Sequence, residues 1–275
     1  MIHECPSSFN YFIDGHEVSR NLNADIDLNN IEKSLISDDL NLLDGLKENK
    51  DGFLISDILN NKSMENLVHC VLNHLSKKFD EKITTQNFNE IFLKMNTSYF
   101  HKIMKEVYQG IPVSVLPFNV AFLENWASNI LKRKVNLFTL KELKEPTLLI
   151  RIVRPHTGDF NPPHRDIYLD RLRNKVNCFM PLLGVNSESS LPIIPKSHNW
   201  KESDTKRTKL NPIIDGIKFS VPAILYKTDL SPLHLTRPKV KYGQVMIFSP
   251  YCIHGGGKNL SMETRMSFEF RFEFS

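Results

Sequence analysis

Arg265-Met266-Ser267-Phe268-Glu269-Phe270-Arg271-Phe272-Glu273-Phe274 alternates without a break between large apolar and polar side chains. In an extended chain, successive side chains point to opposite faces. The stretch therefore reads as a strand. Its apolar face carries Met266, Phe268, Phe270, Phe272 and Phe274; its polar face carries Arg265, Ser267, Glu269, Arg271 and Glu273. With a large side chain at every second position, the apolar face packs against apolar neighbours.

The residues upstream repeat this texture in shorter pieces. Asn136 to Leu140, Thr147 to Val153, Asn177 to Leu183, Leu191 to Ile194, Lys218 to Tyr226 and Gln244 to Ser249 read as further strands, bounded by turn residues. Many short strands with frequent turns indicate a sandwich or barrel. Before Val135 the pattern is helical. Met64 to Phe79 carries Leu67, Val71, Leu72 and Leu75 at helical spacing, with Ser63 as its cap. Asn87 to Tyr108 is a second helix, ended by Gly110-Ile111-Pro112, and Phe118 to Val135 is a third. Met1 to Asn61 reads as short helices and loops. Groups such as Leu35-Ile36, Leu42-Leu43 and Leu54-Ile55 are broken there by Asp, Asn and Gly. Helices first and strands afterwards predict an α+β arrangement, with the helices against the outside of the sheets. No repeat or low-complexity linker divides the chain. A single domain over 1–275 is expected, with a mainly helical part at 1–134 and a strand-rich part at 135–275.

The bulk properties exclude several classes. A net charge of +4 over 275 residues is small, and no basic run is interleaved with aromatics, so a nucleic-acid partner is not expected. Lys201 to Lys209 is the densest cationic stretch, but it includes Glu202 and Asp204 and reads as a solvated loop. Cys5, Cys70, Cys178 and Cys252 form no CxxC pair, which fits a reducing cytoplasm. Met1 to Arg20 carries Glu4, Asp14 and Glu17 and lacks the apolar core of a secretory signal. No run approaches about 18 apolar residues, so no membrane span is expected. The oligomeric state is not legible.

Two stretches carry chemistry. In Pro163-His164-Arg165-Asp166, His164 and Asp166 are two apart, so an extended chain points both to one side. His254 follows the strand at Gln244 to Ser249 and precedes Gly255-Gly256-Gly257. Two imidazoles and one carboxylate on one face, with the opposite positions open, form the ligand set of non-haem Fe(II) oxygenases. After ten intervening residues comes Arg265, whose planar guanidinium suits a carboxylate. Ser267, on the same face, can donate a second hydrogen bond to that carboxylate.

The ordered set His164-x-Asp166, His254, Arg265-x-Ser267 resembles the Fe(II)/2-oxoglutarate-dependent dioxygenases. Leu191-Pro-Ile-Ile-Pro-Lys-Ser-His198 and Gly243-Gln-Val-Met-Ile-Phe248 resemble the phytanoyl-CoA dioxygenase-like branch of that superfamily. The resemblance covers about Thr147 to Ser275. It implies a double-stranded β-helix, or jelly roll, with the helical N-terminal half packed on it. It implies that His164, Asp166 and His254 bind Fe(II), and that Arg265, with Ser267, binds the distal carboxylate of 2-oxoglutarate. The implied reaction consumes O2, most simply hydroxylates a small molecule, and releases succinate and CO2. A carboxylate at Asp166 favours oxidation over halogenation, for which related enzymes carry a small residue there. A protein side-chain hydroxylase on the same fold and a non-catalytic jelly-roll binding module are the alternatives.

Other residues are candidates by position. Arg151 lies on the strand before the metal loop and faces either the co-substrate or the surface; Arg154 follows it. His156 and Asp159 are rival ligands, but the family spacing favours His164 and Asp166. His198 is expected to fix its turn, and Cys252 to pack. Tyr168 and Arg171, just after the metal motif, and Asn177 on the next strand are candidate substrate contacts. Glu202 to Pro212 is long enough to form a lid.

Overall fold

The structure is a computed structural model and describes residues 6–27, 50–107, 110–140, 143–157 and 161–274. Leu35, Ile36, Leu42, Leu43 and the rival ligand Asp159 lie outside these residues.

The elements in chain order are β1 (Ser8–Ile13), β2 (His16–Asn23), β3 (Phe53–Asp57), α1 (Asn61–Phe79), α2 (Phe88–Lys94), α3 (Thr97–Val107), β4 (Ile111–Pro112), α4 (Val120–Leu131), β5 (Val135–Leu137), β6 (Thr147–Val153), β7 (Lys175–Leu183), β8 (Thr205–Arg207), β9 (Ile213–Ile214), β10 (Ile217–Lys218), β11 (Ile224–Lys227), β12 (Leu233–Leu235), β13 (Gln244–Phe248) and β14 (Arg265–Phe274). The fold is mixed α+β and rich in sheet.

The larger sheet runs β3-β13-β7-β14-β6-β4, with β5 also paired to β14, and all its pairs are antiparallel. Its strands alternate as the sequence requires. Met266, Phe268, Phe270 and Phe272 of β14, Val176, Cys178 and Met180 of β7, and Ile150 and Ile152 of β6 form one core with Met64, Leu67, Val71 and Leu75 of α1. The helices therefore cover one face of this sheet. Its other face carries Arg151, Asn177, Arg265, Glu269 and Arg271, which line a cavity. The second sheet runs β10-β9-β2-β1-β12, with β1 and β12 parallel, and β8 pairs with β11. A separate apolar cluster under this part includes Tyr11, Ile13, Leu225, Leu233 and Ile253.

Several expectations need correction. The N-terminal part is not mainly helical, because residues 6–57 supply β1, β2 and β3. Their pairing is long-range: β1 lies against β12, and β3 extends the larger sheet along β13. Tertiary pairing overrides a polar local pattern here. The second helix is broken: Met95 is extended, and the side chain of Asn96 caps α3 by accepting from Tyr99 N at 2.8 Å. Asn60, not Ser63, caps α1, its side chain accepting from Ser63 N at 2.9 Å. Leu191 to Ile194 forms only isolated bridges at Ile193.

Glu202 to Pro212 is not a free lid. Glu202 is buried and ion-paired, and β8 is held by β11. No helix among the described residues is long and apolar enough to cross a membrane. Cys70, Cys178 and Cys252 are free thiols.

Candidate active site

The loop carrying His164 and the distal His254 are joined through the backbone. His164 N donates to His254 O at 2.9 Å, and His254 N donates to His164 O at 3.0 Å. This two-way exchange places two residues ninety positions apart side by side, with ring centroids 4.4 Å apart. Asp166 N donates to Pro250 O at 3.1 Å, which extends the contact by one residue pair. Gly255 has φ of 95°, and a Cβ there would stand 2.7 Å from Pro162 O and 2.9 Å from His164 Nδ1. Only glycine admits both the left-handed backbone and the close approach.

Each imidazole is oriented by its neighbouring chain. His164 Nδ1 lies 2.8 Å from Pro162 O, and His254 Nδ1 lies 3.0 Å from Cys252 O. A carbonyl only accepts, so both Nδ1 atoms carry the proton and both Nε2 atoms present lone pairs. Those Nε2 atoms converge on Asp166 Oδ1, at 3.4 Å from His164 and 3.9 Å from His254. The three donor atoms lie within 4.8 Å of one another and all three residues are buried. Two neutral nitrogens and one carboxylate oxygen, with orienting bonds behind them, match the donor set of a divalent iron.

Arg271 was not singled out by sequence and holds the other carboxylate oxygen. Its Nη2 and Nε donate to Asp166 Oδ2 at 2.7 and 3.1 Å. Burial acts to raise the Asp166 pKa, but Arg271 and the two histidines outweigh it and hold the group well below the usual carboxylate range. Burial, together with His164, pushes His254 down to about 4. Asp166 therefore stands as a carboxylate and His254 as a neutral imidazole at neutral pH. Sequence carried a signal for Arg271, since it shares a face with Arg265, Ser267 and Glu269 by strand alternation.

Arg165, between His164 and Asp166, points the opposite way and is fully buried. Its guanidinium pairs with Glu202 at 3.2 Å and donates to Ser197 O at 3.0 Å. That anchor ties the metal loop to the segment expected to be a lid. Tyr168 belongs to it too: its hydroxyl donates to Glu202 at 3.0 Å, and Arg207 lies over its ring. Tyr168 is thus not a cavity-lining residue, unlike Arg171 and Asn177.

The cavity beside the triad has a volume of about 200 Å³. Arg265 lines it, almost fully buried, and donates to Ser189 O at 2.8 Å. Ser267 is buried on the same face of β14, and its Oγ makes no hydrogen bond among the described residues. A buried cation with an unsatisfied hydroxyl beside it fits the carboxylate of a keto acid. Arg151 also lines the cavity and pairs with Glu269 through two contacts of 3.1 and 3.2 Å. Burial alone would raise Glu269; Arg151, with Arg265 and Arg271, brings it down to about 2.

The other candidates lie elsewhere. Arg154 stacks on Phe100 and donates to Met95 O. His156 is exposed. His198 sits in a short turn, and Cys252 Sγ contacts Gly52 O.

The phytanoyl-CoA dioxygenase (PhyH) family model matches residues 120–267, more than half of the chain, and includes His164, Asp166, His254, Arg265 and Ser267. The chain belongs to the phytanoyl-CoA dioxygenase family. It is an Fe(II)/2-oxoglutarate-dependent dioxygenase, with Fe(II), 2-oxoglutarate and O2 as its cofactor and co-substrates. No curated protein sequence matches it.

Solved structures of similar fold include AviO1 from Streptomyces viridochromogenes Tue57, at 13% identity and a TM-score of 0.49, covering 86% of this chain and 96% of that one. EctD from S. alaskensis, solved with 2-oxoglutarate and 5-hydroxyectoine, is 14% identical with a TM-score of 0.47, covering 92% of this chain and 84% of that one. The non-heme alpha ketoglutarate dependent epimerase SnoN from nogalamycin biosynthesis is 11% identical with a TM-score of 0.43, covering 84% and 80%. With each TM-score below 0.5, the assignment rests on the family match.

Proposed function

We propose that this chain is a hydroxylase of a small molecule, built as one domain over residues 1–275 with a double-stranded β-helix core. An antiparallel larger sheet and a second sheet of β10, β9, β2, β1 and β12 support that core. In this reading His164, Asp166 and His254 hold Fe(II), and Arg265 with Ser267 holds the distal carboxylate of 2-oxoglutarate. Bound iron, with 2-oxoglutarate and O2, supplies the C–H oxidation and yields succinate and CO2.

The chain's own residues do the positioning. Pro162 O and Cys252 O fix the imidazole tautomers. Arg271 occupies Asp166 Oδ2 and leaves Oδ1 to the metal. Arg151, locked to Glu269 and opposite Ser267 in the β6–β14 register, borders the co-substrate. Burial excludes water from the charges. The observation that carries the reading is the convergence of two oriented Nε2 atoms and one carboxylate oxygen at the cavity wall.

A cavity of about 200 Å³ supports a small-molecule substrate over a folded protein surface, and cysteine usage supports a cytoplasmic home. Incubating purified protein with Fe(II), 2-oxoglutarate and a metabolite panel tests this. The expected outcome is substrate-stimulated succinate and a product one oxygen heavier, both lost in Asp166→Ala. A folded protein that makes no succinate with any substrate, yet carries out its cellular role unchanged as Asp166→Ala, contradicts it.

A further inference from the structure

The cavity wall holds charge that the reading above does not use. Among the described residues it is lined by four guanidinium groups, Arg151, Arg171, Arg265 and Arg271, against two carboxylates, Asp166 and Glu269. The excess is two positive charges. Fe(II) and the dianion of 2-oxoglutarate cancel each other and leave it standing. Arg171 is exposed, while Arg265 is buried and Arg151 and Arg271 are half-buried; cationic excess carried by such partly desolvated groups favours an anionic guest.

A second observation locates that guest. Asn177 is 3% exposed, and neither its Nδ2 nor its Oδ1 has a hydrogen-bond partner among the described residues. It lines the cavity as the third residue of β7. Its register partners are Arg271 on β14 and Phe248 on β13, and residues opposed on antiparallel strands project to the same face. Arg271 gives Nε and Nη2 to Asp166, while its Nη1 makes no hydrogen bond among the described residues. An unsatisfied amide and the remaining edge of a guanidinium thus stand side by side, next to the triad. Beyond them the wall turns apolar, with Phe138, Leu140, Leu143 and Leu169.

We propose that the substrate is an amphipathic oxyanion, with a carboxylate or phosphate on an apolar body. Asn177 Nδ2 and Arg271 Nη1 hold its oxygens, and Arg171 adds charge nearby. Asn177 is the specificity-determining residue of this subsite. The inference deepens the proposed function and rests on that reading of the cavity.

The test uses the full chain loaded anaerobically with Fe(II) and saturating 2-oxoglutarate. Binding of octanoate, octyl phosphate and octanamide is read by calorimetry, while the visible band of the chelated keto acid is followed in parallel. The expected result is that one anion binds at least about tenfold tighter than octanamide, with the band retained. Whichever anion is tighter assigns carboxylate or phosphate. Asn177→Asp should weaken that anion by at least about tenfold and leave octanamide within about twofold; Arg171→Gln should weaken it less. Equal binding of anion and amide overturns the proposal, as does absence of anion binding, loss of the band on adding the anion, or indifference to Asn177→Asp. If Asn177→Asp does not fold, the anion-to-amide ratio in the parent and its fall in Arg171→Gln decide. Absence of the keto-acid band in the parent protein strikes the cofactor reading itself, and this inference with it.

Discussion

The two faces of β14 are made by one unbroken alternation and do opposite work. Met266, Phe268, Phe270 and Phe272 join the core shared with α1, where burial of apolar area is the stabilising term. Arg265, Ser267, Glu269 and Arg271 are buried or half-buried, yet they are polar or charged, and Arg265, Glu269 and Arg271 line the cavity. Burying charge is unfavourable unless it is paired. Glu269 has Arg151, and Asp166 has Arg271, but among the described residues Ser267 Oγ and the Asn177 amide have no hydrogen-bond partner. The apolar face is complete as folded. The polar face keeps unsatisfied groups, which is the condition of a surface built to receive something else.

Breaking the apolar face should have the largest effect. Phe268→Ala removes a fully buried ring and should cost about 3–5 kcal/mol of stability, read as a shift in urea midpoint.

Next in size is Arg271→Gln, which leaves β14 folded but removes the partner of Asp166 Oδ2. Iron affinity should fall by about 10–100-fold, measured by anaerobic metal titration, with a smaller change in melting temperature. Unchanged metal affinity would show that Arg271 does not orient the ligand.

Glu269→Gln sharpens the comparison through pH. The Glu269 pKa of about 2 lies below its ordinary value of 4.5. Its contribution is therefore present above pH 4.5 and is lost as pH falls toward about 2. The parent protein should lose stability across that window, and Glu269→Gln should show a flatter profile there. Identical profiles would mean that the Arg151–Glu269 pair is not formed in solution.

The smallest effect is expected for Ser267→Ala, which deletes a hydroxyl with no hydrogen-bond partner among the described residues. Stability should change by less than about 1 kcal/mol. Affinity for 2-oxoglutarate should fall several-fold, as read by the keto-acid band.

The sequence was legible where local pattern and final contact coincide. The alternation of β14 predicted both its faces. The pairing of His164 and Asp166 on one side, with His254 set eleven residues before Arg265, identified the candidate site. Legibility failed where the partner lies far along the chain. β1 finds β12 some 220 residues later, and nothing within residues 8–23 announces that pairing. Glu202 looked like part of a solvated loop because its neighbours are charged. Only the fold brings Arg165 and Tyr168 to it. Arg271 was within reach, because period two puts it on the face of Arg265, but recognising its role required knowing where Asp166 would lie.

The central claim is that the polar face of β14 and the loop at His164 together form one iron and keto-acid site. Anaerobic titration with Fe(II) and then 2-oxoglutarate tests it most directly. A visible charge-transfer band in the parent protein, lost in Asp166→Ala and weakened in Arg265→Ala, is the predicted result. A folded parent protein that shows no band, or a band untouched by both substitutions, would contradict it.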